Sequence, residues 1–426
     1  MQIIGIDIGT TSICGVTIDT KSGKILDSKT VVSNAFIKGA QPWEKIQDPQ
    51  KIVSIATEIL DGLICKDTVA IGVTGQMHGI VYVDKDGSAV SPLYTWQDER
   101  GNLPYKDTTY AKHLGSFSGY GNVTDFYNRE NGLRPKDAVG YCTIHDWFVM
   151  QLCGNKKPLL HSSDAASFGL YDLKENKFNY DVDLDVTSDY CVAGSYKSIP
   201  VSIAIGDNQA SVFSTIADEN NILLNVGTGS QVSIISDRIL AGTNIETRPY
   251  FDGKYLVVGA ALCGGRAFSM LKDFYAEIIG YATDITDKQV YAIMDKMLEN
   301  AEGTTVTADT RFAGTRSDTS IKGGIFGLTV ENFKPLDISL AILQGMITEL
   351  YDMYAEMNTK KVGVVASGNG IRKNKPLIAL AEKQFGAALK LPSHMEEAAF
   401  GAALFGAISA GVYSSAEQAQ KLIRYI

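Results

Sequence analysis

The sequence predicts an α/β protein of two halves built to one plan, and three observations carry that expectation. Glycine-threonine turns between strand-like runs occur twice, at Gly9-Thr10-Thr11-Ser12 and at Gly227-Thr228-Gly229-Ser230. Apolar runs of strand length end at small polar loops that precede helices, as in residues 202–210 and 361–374. Between them lie helical patterns with apolar residues spaced by threes and fours, such as Ile52, Ile55, Ala56, Ile59, Leu60 and Leu63.

Residues 202–210 are the stretch around which the rest is arranged. A short apolar strand breaks at Gly206 and delivers Asp207, Asn208 and Gln209 beyond its end. Open α/β sheets place ligands at such strand ends. Gly206 is expected to let the backbone turn sharply, with Asp207 opening a helix. Gly-Asp-Asn is also ordinary turn chemistry, so the pattern gains weight only from a comparable arrangement near the N-terminus.

The bulk numbers narrow the function classes. A chain of 426 residues accommodates two or three domains with their own cores. With 39 Lys plus Arg against 48 Asp plus Glu, the net charge of -9 opposes a phosphate-backbone partner, so nucleic-acid binding is not expected. Six scattered cysteines read as free thiols in a reducing cytoplasm, and no charged-then-apolar leader precedes Ile3. No apolar run reaches the roughly 18 residues of a membrane span.

In chain order, residues 2–7, 13–19 and those after the 21–23 turn read as a three-stranded meander. The first turn, Gly9 to Ser12, offers backbone N–H and hydroxyl donors without bulk, which suits a phosphate tail and equally a plain hairpin. Asp7 stands just before it, where a carboxylate would meet a phosphate-bound metal. Asp48-Pro49 caps the first amphipathic helix. The strand at 69–73 ends at Thr74-Gly75-Gln76-Met77-His78-Gly79, and Trp96-Gln97-Asp98 follows a hairpin; both could line one pocket. His78 is either a satisfied structural residue or a ligand-facing one. Trp96 beside Asp98 is either a ring face next to a hydroxyl acceptor, as a sugar needs, or a buried Trp with a capping Asp. Residues 101–200 are tyrosine-rich and irregular around a helix at 143–152, and a domain boundary is expected near Pro200, giving halves of 1–200 and 201–426.

In the second half, the strand at 221–225 leads to Gly227-Thr228-Gly229 and a returning strand. Two such loops would clamp a triphosphate from both sides. A long helix over 337–357 feeds a strand at 361–366, whose loop with Gly368, Gly370 and Asn374 could lie against a nucleobase or ribose, or simply connect strand to helix. Residues 396–407 form a helix with small residues repeated along it, suited to close packing in a site wall.

Asp7-Ile8-Gly9-Thr10-Thr11-Ser12, Gly75-Gln76-Met77-His78-Gly79, Trp96-Gln97-Asp98-Glu99-Arg100, Gly206-Asp207-Asn208-Gln209, Gly227-Thr228-Gly229, Gly324-Ile325-Phe326-Gly327-Leu328 and Gly368-Asn369-Gly370 with Asn374 stand in the order seen in the FGGY family of carbohydrate kinases. The chain resembles that family over nearly its whole length. The resemblance implies two ribonuclease-H-like domains of the actin and sugar-kinase ATPase class, with an interdomain cleft closing on ATP and Mg2+. It implies Asp207 as catalytic base and Asp7 as the magnesium organiser, directly or through water. It also implies Gly9, Thr10, Thr11, Ser12, Gly227, Thr228 and Gly229 at the phosphates, with Gly370 and Asn374 near adenosine. Gln76, Met77, His78, Trp96, Asp98, Asp207 and Asn208 would meet the sugar. The Gln76 to Gly79 loop looks like the xylulose and sedoheptulose kinases rather than glycerol kinases. Thr143-Ile144-His145-Asp146-Trp147 with Asp164-Ala165-Ala166-Ser167 is similar to sedoheptulokinases, implying sedoheptulose as acceptor and D-xylulose as the alternative. A sensor that binds sugar without turnover is a third reading, and an actin-like or chaperone-like interaction protein a fourth; the retained base and phosphate loops weigh against the former and the sugar-facing segments against the latter. Cytoplasmic location and free sugar and nucleotide as partners are expected, with homodimerisation left open.

Overall fold

Seven residues of alternating small and β-branched side chains, QIIGIDI, make β1 (Gln2–Ile8), five of them buried. It pairs antiparallel with β2 (Ser12–Asp19), which pairs antiparallel with β3 (Ile25–Val32). The expected meander is present. On its other edge β1 runs parallel to β4 (Thr68–Gly75), and beyond lie β5 (Val192–Tyr196), β6 (Ile199–Ser202) and β7 (Ile205–Gly206). The sheet order is β5-β6-β4-β1-β2-β3, with β7 also pairing β4. The helix Pro49–Leu63 starts as its sequence indicates: Pro49 occupies the first turn and the Asp48 carboxylate accepts from the N–H groups of Gln50 and Lys51.

The same plan recurs downstream in β8 (Asn221–Val226), β9 (Ser230–Ser236), β10 (Ile245–Pro249), β11 (Tyr255–Ala261), β12 (Gly363–Ser367) and β13 (Leu389–Lys390). Here the order is β10-β11-β9-β8-β12-β13. In both sheets a first strand lies between an antiparallel hairpin partner and a parallel strand from later in the chain, β4 beside β1 and β12 beside β8, the arrangement of a ribonuclease-H-like unit. The long helix Pro335–Glu356 buries Leu340, Leu343, Ile347 and Leu350 in the second core.

The computed structural model describes residues 1–299, 301, 303–315, 318 and 320–426. By contacts it divides into unit 1, made of Met1–Ala217, Arg248–Lys254 and Glu396–Arg424, and unit 2, made of Asp218–Thr247, Tyr255–Met395 and Tyr425–Ile426. The division expected after residue 200 therefore falls inside unit 1, because β6 and β7 complete its sheet. Asp207 belongs by contact to the unit that carries Asp7, and so does the small-residue helix Glu397–Ser409.

That helix packs on β1, β4 and the helix Asp207–Thr215. It does so through missing side chains: a Cβ on Gly72 would strike the Ala402 carbonyl, and one on Gly406 would stand 2.6 Å from the Gly72 nitrogen. Backbone sits on backbone, with no flexible atom to give way. Gly72→Ala is therefore expected to cost at least 1–3 kcal/mol, roughly the overpacking range, read as a lower denaturant midpoint at unchanged slope. An unaltered midpoint would mean the helix can lift from the sheet without penalty.

Candidate active site

The parallel register of β1, β4 and β7 brings three strand ends together in unit 1. Asp7 lies opposite Thr74 on one side and Cys14 on the other, while Gly206 lies opposite Gly75. The Thr74 hydroxyl donates to the Ile205 carbonyl at 2.7 Å, tying β4 to the strand that delivers Asp207. Asp207 is the first residue of its helix, after Gly206. Gly206 itself has ordinary extended dihedrals, φ -63° and ψ 142°, so the sharp turn expected there is absent. Its lack of a side chain matters for space instead, since a Cβ would lie 2.8 Å from Met77 Sδ and 2.7 Å from Gln209 Oε1.

The two half-buried carboxylates share one field. Burial, then Asp207, then Glu396 push the Asp7 carboxyl up to about 7. Burial likewise raises Asp207, with the His145 imidazole acting in the opposite direction. One oxygen of Asp7, Oδ1, is buried with no hydrogen-bond partner. An orphaned carboxylate oxygen beside two further acids fits a hard divalent cation, which takes oxygen ligands and offsets clustered negative charge. Mg2+ therefore fits Asp7, with Asp207 and Glu396 shaping the same field. Glu396 also acts electrostatically on the Cys14 thiol, which burial above all raises. It stands far from Asp7 in sequence, at the start of a helix legible only as small-residued, so no local signal marked it.

Thr10 sits at the centre of a hydrogen-bonded cluster. Its carbonyl accepts from Gln47 Nε2 at 2.7 Å, and its hydroxyl accepts from Trp96 Nε1 at 2.9 Å and donates to Gln76 Oε1 at 3.3 Å. Gln76 Nε2 donates in turn to Gln47 Oε1 at 3.0 Å. The first glycine-threonine loop is thus joined directly to two of the expected sugar residues, and Gln47 is a member that sequence reasoning missed. Trp96 is 47 % exposed, so its ring face is open rather than buried. His78 holds a left-handed backbone, φ 72°, uncommon outside glycine. Its N–H donates to Ser167 Oγ, its Nδ1 lies 2.8 Å from the Ser167 carbonyl, and its ring stacks on Tyr120 at 4.3 Å.

Two expected residues have other employment. Asp98 is buried and accepts from Arg100 Nε at 2.6 Å, Arg100 Nη2 at 3.2 Å, and the backbone N–H groups of Lys45 and Arg100 at 3.1 Å each. Its lone pairs are taken, and Arg100, buried over the Tyr94 ring, is the reason. Asn374 is the N-cap of the helix Lys375–Phe385, accepting from the Leu377 N–H at 2.9 Å. Met77 is buried under Gly206, and Asn208 accepts from Arg248 Nη1 at 3.1 Å.

Unit 2 gathers its own loops. Gly227, Thr228 and Gly229 join β8 to β9, and the carbonyls of Gly227 and Thr228 accept from the N–H groups of Gly265 and Arg266 at the start of the helix Gly265–Gly280. A Cβ on Gly368 or Gly370 would meet the Val226 carbonyl at 2.6 and 2.7 Å, so this second loop lies against the end of β8. Lys373 and Lys375, flanking Asn374, help line a cavity of about 730 Å³ with Leu340, Gln344 and Leu380. That is a volume suited to a small-molecule ligand.

Residues 2–107 match the N-terminal domain of the FGGY family of carbohydrate kinases. That match spans the N-terminal quarter of the chain. Over 94 % of its length the chain is 27 % identical to sedoheptulokinase from Mus musculus, covering 96 % of that protein. It is 24 % identical to xylulose kinase from Staphylococcus xylosus, covering 95 % of this chain and 90 % of the relative. The solved structure of xylulose kinase from Lactobacillus acidophilus superposes with a TM-score of 0.84, covering 100 % of this chain and 92 % of the other at 19 % identity. The fold is that of the FGGY sugar kinases, and the chain is a sugar phosphotransferase. No helix among the described residues is long and apolar enough to cross a membrane.

Proposed function

We propose that this FGGY-type kinase transfers the γ-phosphoryl group of ATP to a primary hydroxyl of a ketose, sedoheptulose foremost, giving sedoheptulose 7-phosphate. The observation that carries the reading is the pair of half-buried carboxylates, Asp7 at the end of β1 and Asp207 just past β7, on either side of β4 and in one field. A triphosphate bears about four negative charges near neutral pH, so two carboxylates facing it require a cation between them. Mg2+ held at Asp7 supplies that neutralisation. Asp207 accepts the hydroxyl proton as the oxygen attacks phosphorus, and ADP leaves; the base is worth about 10² to 10⁴ in rate. In unit 1, Gly9 to Ser12 offer backbone N–H groups to phosphate oxygens; in unit 2, Gly227 to Gly229 and Gly370 are the corresponding nucleotide-facing residues.

Gln76, Trp96 and His78 orient the sugar, with Met77 and Asn208 shaping the floor on which Asp207 stands. The Thr10 hydroxyl, shared between Gln76 and Trp96, couples phosphate loop and sugar side so that both are ordered together. Asp98 serves this arrangement by fixing the turn after Trp96 through Arg100, not by touching sugar. Sedoheptulose is preferred over D-xylulose because the sedoheptulokinases of Mus musculus and Homo sapiens are 27 % and 28 % identical to this chain, against 24 % for the Staphylococcus xylosus xylulose kinase.

The test is ADP release from Mg-ATP across free ketoses, with glycerol as control. The expected order is sedoheptulose above D-xylulose, with glycerol near background. D-Xylulose first would keep the reaction and reassign the acceptor. Sugar binding without turnover on any acceptor would favour the sensor reading and overturn the proposal.

A further inference from the structure

Beneath the Asp207 strand end lies a second group of ionisable side chains that the transfer reaction does not use. His145 and Asp146 open the helix Ile144–Cys153, and Asp164 sits in the first turn of the helix Ser162–Ser167. His145 and Asp164 have no exposed surface and Asp146 has 3 %. His145 Nε2 is 3.0 Å from Asp164 Oδ1, and one potential ligand atom from each of the three residues lies within 4.8 Å of the other two.

Each residue also keeps an orphan. Asp146 Oδ2 accepts from the hydroxyl and N–H of Thr143 in a capping box, but its Oδ1 has no partner. His145 Nδ1 and Asp164 Oδ2 are likewise buried without hydrogen bonds. Among the described residues, neither carboxylate forms an ion pair with a lysine or arginine. Orphaned polar atoms on all three members of one buried cluster are costly unless something satisfies them.

We propose that His145, Asp146 and Asp164 bind one divalent transition-metal ion, Zn2+ or Mn2+, in a site separate from the magnesium position at Asp7. Donors about 2.1 Å from a tetrahedral ion stand roughly 3.4 Å apart, so the present spread of up to 4.8 Å must close by about 1.4 Å at most. One imidazole nitrogen with two carboxylate oxygens selects a borderline metal over Mg2+, which demands oxygen ligands. Asp146 also borders a cavity of about 110 Å³, with room for a water ligand. The ion would tie the two helices to each other. Its consequence reaches the active site through Ser163, whose hydroxyl accepts from the Gly206 N–H at 3.0 Å and so anchors the strand end that presents Asp207. Gly75 leaves the space for the imidazole, since a Cβ there would lie 2.9 Å from His145 Nδ1.

The inference rests on unit 1 alone and does not depend on which sugar is phosphorylated. Its test is elemental analysis of tag-free protein passed into metal-free buffer, followed by thermal unfolding after chelation and after return of Zn2+, Mn2+ or Mg2+. Close to one zinc or manganese per chain is expected, with a lower Tm after chelation that Zn2+ or Mn2+ restores and Mg2+ does not. His145→Gln and Asp164→Asn should each lose that metal, while Asp7→Asn retains it. Metal at background with no Tm response to Zn2+ or Mn2+ would overturn the proposal. So would metal that survives both cluster substitutions and vanishes with Asp7→Asn. The wild-type measurements decide the matter even where a variant fails to fold.

Discussion

Asp207→Asn is expected to lower kcat on the preferred ketose by about 10² to 10⁴, with the KM for ATP changed by no more than about twofold. The amide keeps the size of the carboxylate and its place at the start of the helix Asp207–Thr215, so what is removed is the proton acceptor. A loss confined to kcat marks an interaction made only in the transition state. Folding should not suffer: burial is the first cause of the raised carboxyl pKa, so a neutral group there relieves a desolvation cost and Tm stays level or rises. Turnover within a few-fold of wild type would remove Asp207 from the base role.

The pH dependence follows with a definite sign. The base works only when ionised, and its pKa is raised, so kcat/KM falls as pH drops, through a limb lying above the ordinary carboxylate range. His145, which acts against that rise, sits beside Asp207 electrostatically and makes the limb sensitive to its own surroundings. Steady-state profiles of wild type and Asp207→Asn over the same range provide the check. A limb retained unchanged in the residual activity of the variant would assign it to another group.

The features that sequence made legible are those whose physics is local. A strand, a glycine-threonine turn and a returning strand are neighbours in the chain, so β1 to β2 and β8 to β9 were readable, as was the Asp48-Pro49 cap. The duplicated plan was readable for the same reason. Asp98 was not: its pattern with Trp96 suits a sugar, and only the fold shows Arg100 and the Lys45 N–H occupying its acceptor positions. Asn374 has the composition of a ligand residue and the geometry of a cap. Glu396 and Gln47 reach the site by tertiary contact across long separations in sequence, which no periodicity or spacing encodes. The boundary near Pro200 was drawn on composition, whereas the units follow strand pairing, and β7 pairs with β4.

Asp7→Asn should abolish magnesium-dependent transfer and, without metal, make the protein more stable near neutral pH. The Asp7 carboxyl moves from an ordinary 3.8 to about 7 on folding. Across that window the unfolded chain releases its proton while the folded chain keeps it, so wild-type stability is full below pH 3.8 and declines as pH rises toward 7. Roughly three pKa units at ~1.4 kcal/mol each set a ceiling of about 4 kcal/mol on the decline. An asparagine carries no such dependence, although burying its amide without partners returns about 1–3 kcal/mol of the gain. Thermal unfolding in chelator at pH 8 is therefore expected to give a Tm for Asp7→Asn a few degrees above wild type, with the gap closing as pH is lowered toward 4. Millimolar Mg2+ should reverse the order, because an ion at Asp7 displaces the proton and stabilises only the chain that can bind it. A variant less stable than wild type at pH 8, or one stabilised by Mg2+ to the same degree, would mean that the unsatisfied charge at the end of β1 is not held for a metal.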